Sequence, residues 1–341
     1  MIILGDVATN KSNIEIDSIN INSTILLNCE GYLVENIGTN NTVFNNISLF
    51  RNLSKKFNLI LNLSNNHTMD LKNGVSKSLE LANVNNLETV GAGLNLDDAN
   101  KPLINVIDGV EVAIISGGWD VIGCKPAKKE TEGVAPLDSE RIFTQVQEQT
   151  QLGRKVLVYL HWGYELEIYP QPTHRQLAKN CIEFGADIVL GCHSHCIQGY
   201  EKHQDKYIFY GLGNSIFEEN YYYNGKLSFP EFCNIGLAVN WDIKSNEVMT
   251  SLTKYEDNTL IVGGFRAPEQ QDDLNQLSQF SNLTHNEYIN FFKDKRRKKK
   301  LLPVFHENDR ELMYKAKRSF NIIRSSIISR LFKLGLKGSS R

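Results

Sequence analysis

No uninterrupted apolar run in the 341 residues approaches the roughly 20 that a helix needs to cross a bilayer, which argues against a helical membrane span. The opening residues, Met1-Ile2-Ile3-Leu4-Gly5-Asp6, enter an apparent strand at once. They leave no room for the charged, apolar and cleavage regions of a secretory signal. Six cysteines (Cys29, Cys124, Cys181, Cys192, Cys196, Cys233) show no repeated spacing, so they read as reduced thiols rather than as a disulfide framework. These absences together predict a cytoplasmic protein. An internal repeat is also lacking, which argues against solenoid and propeller architectures.

Charge is balanced only in the sum. The formal net charge is −2, yet residues 293–341 hold 16 Lys+Arg and 4 Asp+Glu, or +12, which leaves −14 on residues 1–292. Tail and body are therefore opposite in sign. The length suits one large domain or two ordinary ones.

Apolar runs at residues 2–4, 25–28 and 59–63 read as short buried strands, and 75–82 has helical spacing. A further buried strand is expected at 110–116. Asp138 caps an expected helix to Gln151, with Gly153 beyond its end. The strand at 156–160 delivers His161, a helix runs from Thr173 to near Gly185, and the strand at 188–190 delivers His193 and His195. Strands without helices follow at 207–210, 235–241 and 248–255. That switch predicts a second, partly antiparallel sheet packed on the first. Residues 124–133 read as a surface loop, 221–229 as a lid or rim, and 267–290 as a polar helical stretch.

Metal-ligand side chains recur where these strands should end: Gly5-Asp6, Asn28-Cys29-Glu30-Gly31, Asn65-Asn66-His67, His161-Trp162-Gly163, Gly191-Cys192-His193-Ser194-His195 and Gly213-Asn214. Strand ends in an α/β sheet are where ligands from distant parts of a chain converge. Asp6, Glu30, Asn66, His161, His193 and His195 form a candidate set for one or two divalent ions. Mixed oxygen and imidazole ligation suits Mn²⁺, Fe²⁺, Zn²⁺ or Co²⁺ better than Mg²⁺ or Ca²⁺, which prefer all-oxygen shells, and Mn²⁺ is the first expectation among the four. Two ions roughly 3.5–4 Å apart can act on one transferring phosphoryl group and bring the pKa of a bound water toward neutrality. Each residue also has a plainer reading: Asp6 as a turn residue, Asn66-His67 as a turn, and Cys192 and Cys196 as small packing residues. Trp162 and the tyrosines at 221–223 could stack on a sugar or base, or simply form packing or pocket wall.

The order of these motifs resembles the calcineurin-like metallophosphoesterase superfamily. More narrowly, the Asn-Cys-Glu-Gly, Asn-Asn-His-Thr-Met-Asp, Gly91-Ala92-Gly93, His-Trp-Gly-Tyr-Glu, Gly185-to-Gly191 and Gly211-to-Phe217 segments are similar to the CapA family of capsule and poly-γ-glutamate synthesis proteins, over about residues 1–255. The resemblance implies a four-layer α/β/β/α sandwich of two mixed sheets at 1–260; the residues beyond it, 261–341, read on their own pattern as a helical basic extension. It implies that Asp6 and His195 hold a first ion, that Glu30 bridges, and that Asn66, His161 and His193 complete a second. His67 would be the general acid, oriented by Asp70, and Asn214 would meet substrate oxygens at the rim. One position departs from the superfamily: Ala8 stands where a histidine is usual, and this weakens the first ion site. The expected function is divalent-metal-dependent phosphoesterase chemistry in cell-surface polymer synthesis. The alternative is an accessory subunit that binds an anionic polymer without turnover.

The basic run Lys293-Asp294-Lys295-Arg296-Arg297-Lys298-Lys299-Lys300 precedes an expected helix over about 308–334. On it, Phe320, Ile323, Ile327, Leu331 and Leu334 share one face, while Arg318, Arg330, Lys333 and Lys337 lie opposite. Such a helix fits an anionic membrane surface or docking on the domain. Nucleic acid is not expected as a partner, because basic and aromatic residues are not interleaved and the body is acidic.

Overall fold

Ile2–Ala8 is buried at every position, as a strand covered on both faces should be. It pairs in parallel with Thr24–Cys29, which pairs in parallel with Asn58–Asn62, and that strand with Glu88–Val90. Its other edge takes the antiparallel strand Ile235–Trp241, followed by Val248–Glu256 and Thr259–Val262. Glu15–Ile16 and Asn214–Phe217 complete this mixed sheet. A second sheet runs in the order Ile197–His203, Lys206–Leu212, Ile188–Cys192, Lys155–His161, Val110–Gly118, Leu103–Ile107. Its four central strands are parallel and its two edges antiparallel. The computed structural model describes residues 1–36, 41–297 and 301–333.

The two sheets face each other across one buried cluster, in which Ile3, Leu26 and Ile60 meet Ile114, Leu157, Tyr159 and Leu190. Beneath the first sheet, Leu27, Leu59 and Leu61 pack against Phe50 and Ala82 of the helices Ile47–Leu53 and Gly74–Val84. Outside the second, Ile115, Val156 and Val158 pack against Val146 and Ala178 of the helices Ser139–Gln151 and Pro172–Glu183. The result is an α/β/β/α sandwich of two mixed sheets. Asp138 caps its helix as expected, its side chain accepting from the Arg141 amide. All six cysteines are buried free thiols.

The later strands do not form a sheet of their own. Lys206–Leu212 joins the second sheet, while Ile235–Trp241 and Val248–Glu256 extend the first. The edge of Ile2–Ala8 left open by its parallel partners needs backbone hydrogen bonds, and an antiparallel strand supplies them. The polar stretch expected as helical at 267–290 is broken into the helix Asp272–Leu277 and the start of His285–Lys295.

The C-terminal segment is built into the sandwich. Phe280, Tyr288, Phe292, Leu302 and Phe305 belong to the same buried cluster as Val158 and Ala178. The last helix, Glu311–Lys333, docks through Tyr314, whose hydroxyl accepts from Trp119 Nε1 at 3.2 Å and donates to Asp120 at 2.9 Å. Asn321, further along, donates to Tyr164 Oη at 2.8 Å. Docking therefore uses a largely polar face. Phe320, Ile323 and Ile327 are 52%, 60% and 52% exposed. Lys298–Lys300, Leu334 and Lys337, which figured in the tail expectation, lie outside the described residues.

Candidate metal centre

The parallel strands of both sheets deliver their C-terminal ends to one edge, and the candidate ligands sit there. Asp6 lies within Ile2–Ala8 at a shift in register, and Glu30 follows Thr24–Cys29. Asn66 lies on the loop after Asn58–Asn62, His161 ends its strand, and His193 follows Ile188–Cys192. A Cβ at Gly5 would lie 2.0 Å from the Gly213 carbonyl, so only glycine allows that approach, which lets the Asp6 amide donate to Gly213 O at 3.0 Å. His193 and His195 adopt φ of 93° and 55°. Non-glycine residues in that region are strained, and such strain concentrates at functional sites.

His161 Nε2 lies 2.7 Å from Asn66 Oδ1 and 3.9 Å from Glu30 Oε2. Ligand atoms of Glu30, His161 and His193 fall within 4.8 Å of one another, as do those of Asp6, His161 and Cys192. Behind His161, Nδ1 faces Cys192 Sγ at 3.2 Å, an outer contact that orients the ring. A chain of donors reaches the carboxylates: Ser116 donates to Asn62 at 2.6 Å, and Asn62 donates to Asn28 at 3.0 Å. Asn28 then donates to Asp6 at 2.7 Å and to Glu30 at 3.0 Å. Asn62 belongs to no motif in the sequence, and Asn28 stands in the Asn28-Cys29-Glu30-Gly31 stretch without a role of its own. Their signal is an asparagine at the inward end of two adjacent parallel strands.

Electrostatics favour a cation here. Burial, with the neighbouring Asp6 charge next, pushes the Glu30 carboxyl well above the usual range. Burial also raises Asp6, opposed by His195 and the Asn28 amide. The His161 imidazole is held well below its ordinary value by burial and then by the neighbouring histidines, so it is neutral and available as a ligand. Burial, and then Asp6 and Glu30, keep Cys192 a thiol. Glu30 Oε1 is buried and has no hydrogen-bond partner among the described residues. An orphaned buried acceptor is costly unless a cation or donor meets it. One carboxylate, one amide oxygen and two imidazoles suit a divalent transition ion.

The Asp6 side is different. Its oxygens accept from Asn28 and, at 3.2 Å, from the His193 amide, with His195 Nδ1 at 3.5 Å. Ala8 is fully buried and packs with Tyr222 and Phe217. His195 Nδ1 lies 2.9 Å from Asn214 Oδ1, and Asn214 Nδ2 donates to Cys233 O at 3.5 Å. Asn214 is thus buried with its amide engaged by protein, in place of the rim position expected of it. Trp162 is corrected similarly. It is 1% exposed, donates to Tyr210 O at 2.9 Å and stacks on His174, so its ring faces serve the core rather than a substrate.

A cleft of about 330 Å³ is lined by Asn66, His67, Asp70 and His193. His67 Nδ1 and Asp70 Oδ2 are 2.6 Å apart. Asn65 shapes this loop, its side-chain oxygen accepting from the amides of Gly31, His67 and Thr68 at 3.0 Å each. Tyr223, in the stretch expected as a rim, lines the cleft and meets the His67 ring edge-on at 6.4 Å. Residues of the last helix, including Asn321, Arg324 and Ile328, line it too. The sequence shows them only as an i, i+3, i+7 row.

Residues 19–219 match the family model described as "Bacterial capsule synthesis protein PGA_cap". The chain is 38% identical over 165 residues to "PGA biosynthesis protein CapA" of Bacillus subtilis (strain 168), covering 48% of this chain and 43% of that protein. It is 30% identical over 167 residues to "Capsule biosynthesis protein CapA" of Bacillus anthracis, covering 48% and 41%. The matched region thus spans less than half the length of either relative. Among solved structures, a 5'-nucleotidase precursor from Thermus thermophilus is 15% identical with a TM-score of 0.34, covering 69% of this chain and 43% of that one. A hypothetical protein from the same organism is 11% identical with a TM-score of 0.38, covering 78% and 97%. Likenesses this loose carry no argument about what this chain does. The family match spans more than half of the chain and includes Glu30, Asn66, His161 and His193, and the chain belongs to the bacterial capsule synthesis protein PGA_cap family.

Proposed function

We propose that this protein is a divalent-metal-dependent phosphoesterase acting on a phosphorylated intermediate of capsule or other cell-surface polymer synthesis. The observation that carries the reading is the convergence of Glu30, Asn66, His161 and His193 beside the His67–Asp70 pair in one cleft. Those four residues would hold one ion, with Mn²⁺ the first candidate and Fe²⁺, Zn²⁺ and Co²⁺ the others; a second ion would depend on Asp6 and His195. Such an ion, when bound, draws phosphoryl oxygens and favours ionisation of water. His67 would donate a proton to the leaving oxygen, with Asp70, 2.6 Å from its Nδ1, holding the ring. The test is release of alcohol from a chromogenic phosphate ester by the Mn²⁺-reconstituted full-length protein. No release above that of a His161→Ala control would end the esterase reading.

The Asp6 side favours a second reading, an accessory subunit that holds an anionic polymer without turnover. Ala8 offers no ligand, and the Asp6 oxygens are already met by protein donors. Retention of polyglutamate or an acidic polysaccharide by a protein inactive on esters would support it.

The tail supports a proposal about location as well. No described helix is long and apolar enough to cross a membrane. The exposed Leu312, Met313, Phe320, Ile323 and Ile327, together with a C-terminal segment of net charge +12, suit an anionic lipid surface. The domain would then work as a peripheral protein at the inner face of the cell membrane, close to lipid-linked intermediates.

A further inference from the structure

The last helix lies outside the region matched by the family model, yet it supplies part of the cleft. Its placement there is fixed by specific contacts: Tyr314 with Trp119 and Asp120, Arg318 with Asp120, and Asn321 with Tyr164. Asn321 is 3% exposed, and Arg324 follows it by one turn. Other cations on the described part of this helix are paired: Lys317 binds Asp309 at 2.6 Å and Arg318 binds Asp120, while Lys315 pairs with Glu311 at the solvent-exposed surface. Arg324 differs from them. It lines the cleft with His67 and His193, and among the described residues it makes no hydrogen bond or ion pair.

We infer that Arg324 is the residue that recognises the anionic group of the substrate, a phosphate, in the cleft that Asn66 and His193 also line. The inference rests on the phosphoester reading for the identity of that anion. A guanidinium presents a planar fork of donors that matches phosphate oxygens in pairs, and it keeps its charge at any working pH. The other charged groups lining the cleft do not compete for this role. Lys125 already donates to the Met69 carbonyl at 2.8 Å, Asp70 is held by His67, and Glu165 is a carboxylate. Substrate recognition would then depend on a helix beyond the family's matched region, and this chain's specificity would differ from that of relatives lacking it.

The experiment uses full-length protein loaded with Mn²⁺: wild type, Arg324→Gln and Arg324→Lys. Inorganic phosphate binding is followed by calorimetry, KM and kcat are taken on a chromogenic phosphate ester, and metal content is measured in each. Arg324→Gln is expected to weaken phosphate binding by about 10- to 100-fold, the range for a hydrogen bond to a charged group. KM should rise comparably while metal content stays at the wild-type level, and Arg324→Lys should recover part of the loss. Equal phosphate affinity in wild type and Arg324→Gln, or no phosphate binding by the wild type, would overturn the assignment. Phosphate binding that depends on Arg324 without ester turnover would keep the anion site and sink the esterase reading. Turnover indifferent to Arg324 would do the reverse.

Discussion

His161 Nε2 and Asn66 Oδ1 are 2.7 Å apart although 95 positions separate them, and they join the ends of the two sheets at the ligand edge. Replacing His161 by alanine should therefore do more than trim a side chain. Mn²⁺ affinity, measured by equilibrium dialysis, should fall by more than the roughly 10- to 100-fold typical of outer-contact changes. An unchanged affinity would show that metal is held elsewhere or not at all.

The 2.6 Å contact between His67 and Asp70 sets a graded expectation. His67→Ala should lower ester turnover by about 10²–10⁴-fold, the usual range for a positioned acid. Asp70→Asn should lower it less, because the ring remains but loses its orienting carboxylate. Bound metal should be the same in all three proteins. Wild-type turnover in His67→Ala at saturating Mn²⁺ would remove the acid role.

His174 makes a prediction about stability. It is wedged between Trp119 and Trp162, at centroid distances of 4.5 and 5.0 Å, and neither ring nitrogen has a partner among the described residues. Burial lowers its pKa to about 3. Between that value and about 6.5 the unfolded chain binds a proton that the folded chain does not, so stability drops as pH falls through this window. His174→Phe removes both the orphaned nitrogens and the proton linkage. It should stabilise the protein, and its advantage should grow by about 2 kcal/mol between pH 8 and pH 5, at 1.36 kcal/mol per unit. Urea denaturation at the two pH values reads this directly. An advantage independent of pH would contradict the neutral buried imidazole.

Arg175 and Glu201 form a buried pair, each 2% exposed, that ties the C-terminal segment to the sandwich. Arg175 also donates to Leu283 O at 2.8 Å, and Glu201 accepts from Tyr210 at 3.0 Å and from Lys179 at 2.8 Å. Glu201→Ala would leave the guanidinium buried without its main counter-charge, at a cost of about 3–5 kcal/mol. A loss under about 1 kcal/mol in chemical denaturation would mean that the segment is anchored by its aromatic residues alone.

Membrane attachment is best tested by point substitution. A chain cut near residue 290 would also remove Phe292, Leu302 and Phe305 from the core, so weakened binding could reflect damage to the fold. Ile323→Asn combined with Ile327→Asn leaves the docked face intact, since both residues are more than half exposed. This variant should co-sediment with anionic liposomes less than wild type does. Equal partitioning would exclude the apolar face as the contact.

Much of the ligand edge was legible because parallel strands put chemistry at their C-terminal ends, and a short apolar run followed by a polar ligand is a local signal. His161 after its apolar strand and the His193 and His195 pair are the plainest cases. What pairs with what was less legible. The strand Leu103–Ile107 has only Asp108-Gly109 to announce it, a two-residue hairpin signal whose residues both have positive φ, at 53° and 82°. Its own run, Leu-Ile-Asn-Val-Ile, is half exposed and sits at a sheet edge, where hydropathy is weak. The final helix was legible as amphipathic, but its apolar stripe left open whether a membrane surface or the domain meets it, and the face that docks is a polar one. Tyr314 and Asn321 hold it through hydrogen bonds that periodicity does not register.

The most direct test is the metal content of the purified full-length protein after Mn²⁺ loading and dialysis, with Glu30→Gln and His193→Ala alongside. At least one ion per chain in the wild type, lost in both variants while their circular dichroism stays unchanged, is the expected result. No ion in the wild type, or equal retention by the folded variants, would contradict a metal centre built on Glu30, Asn66, His161 and His193.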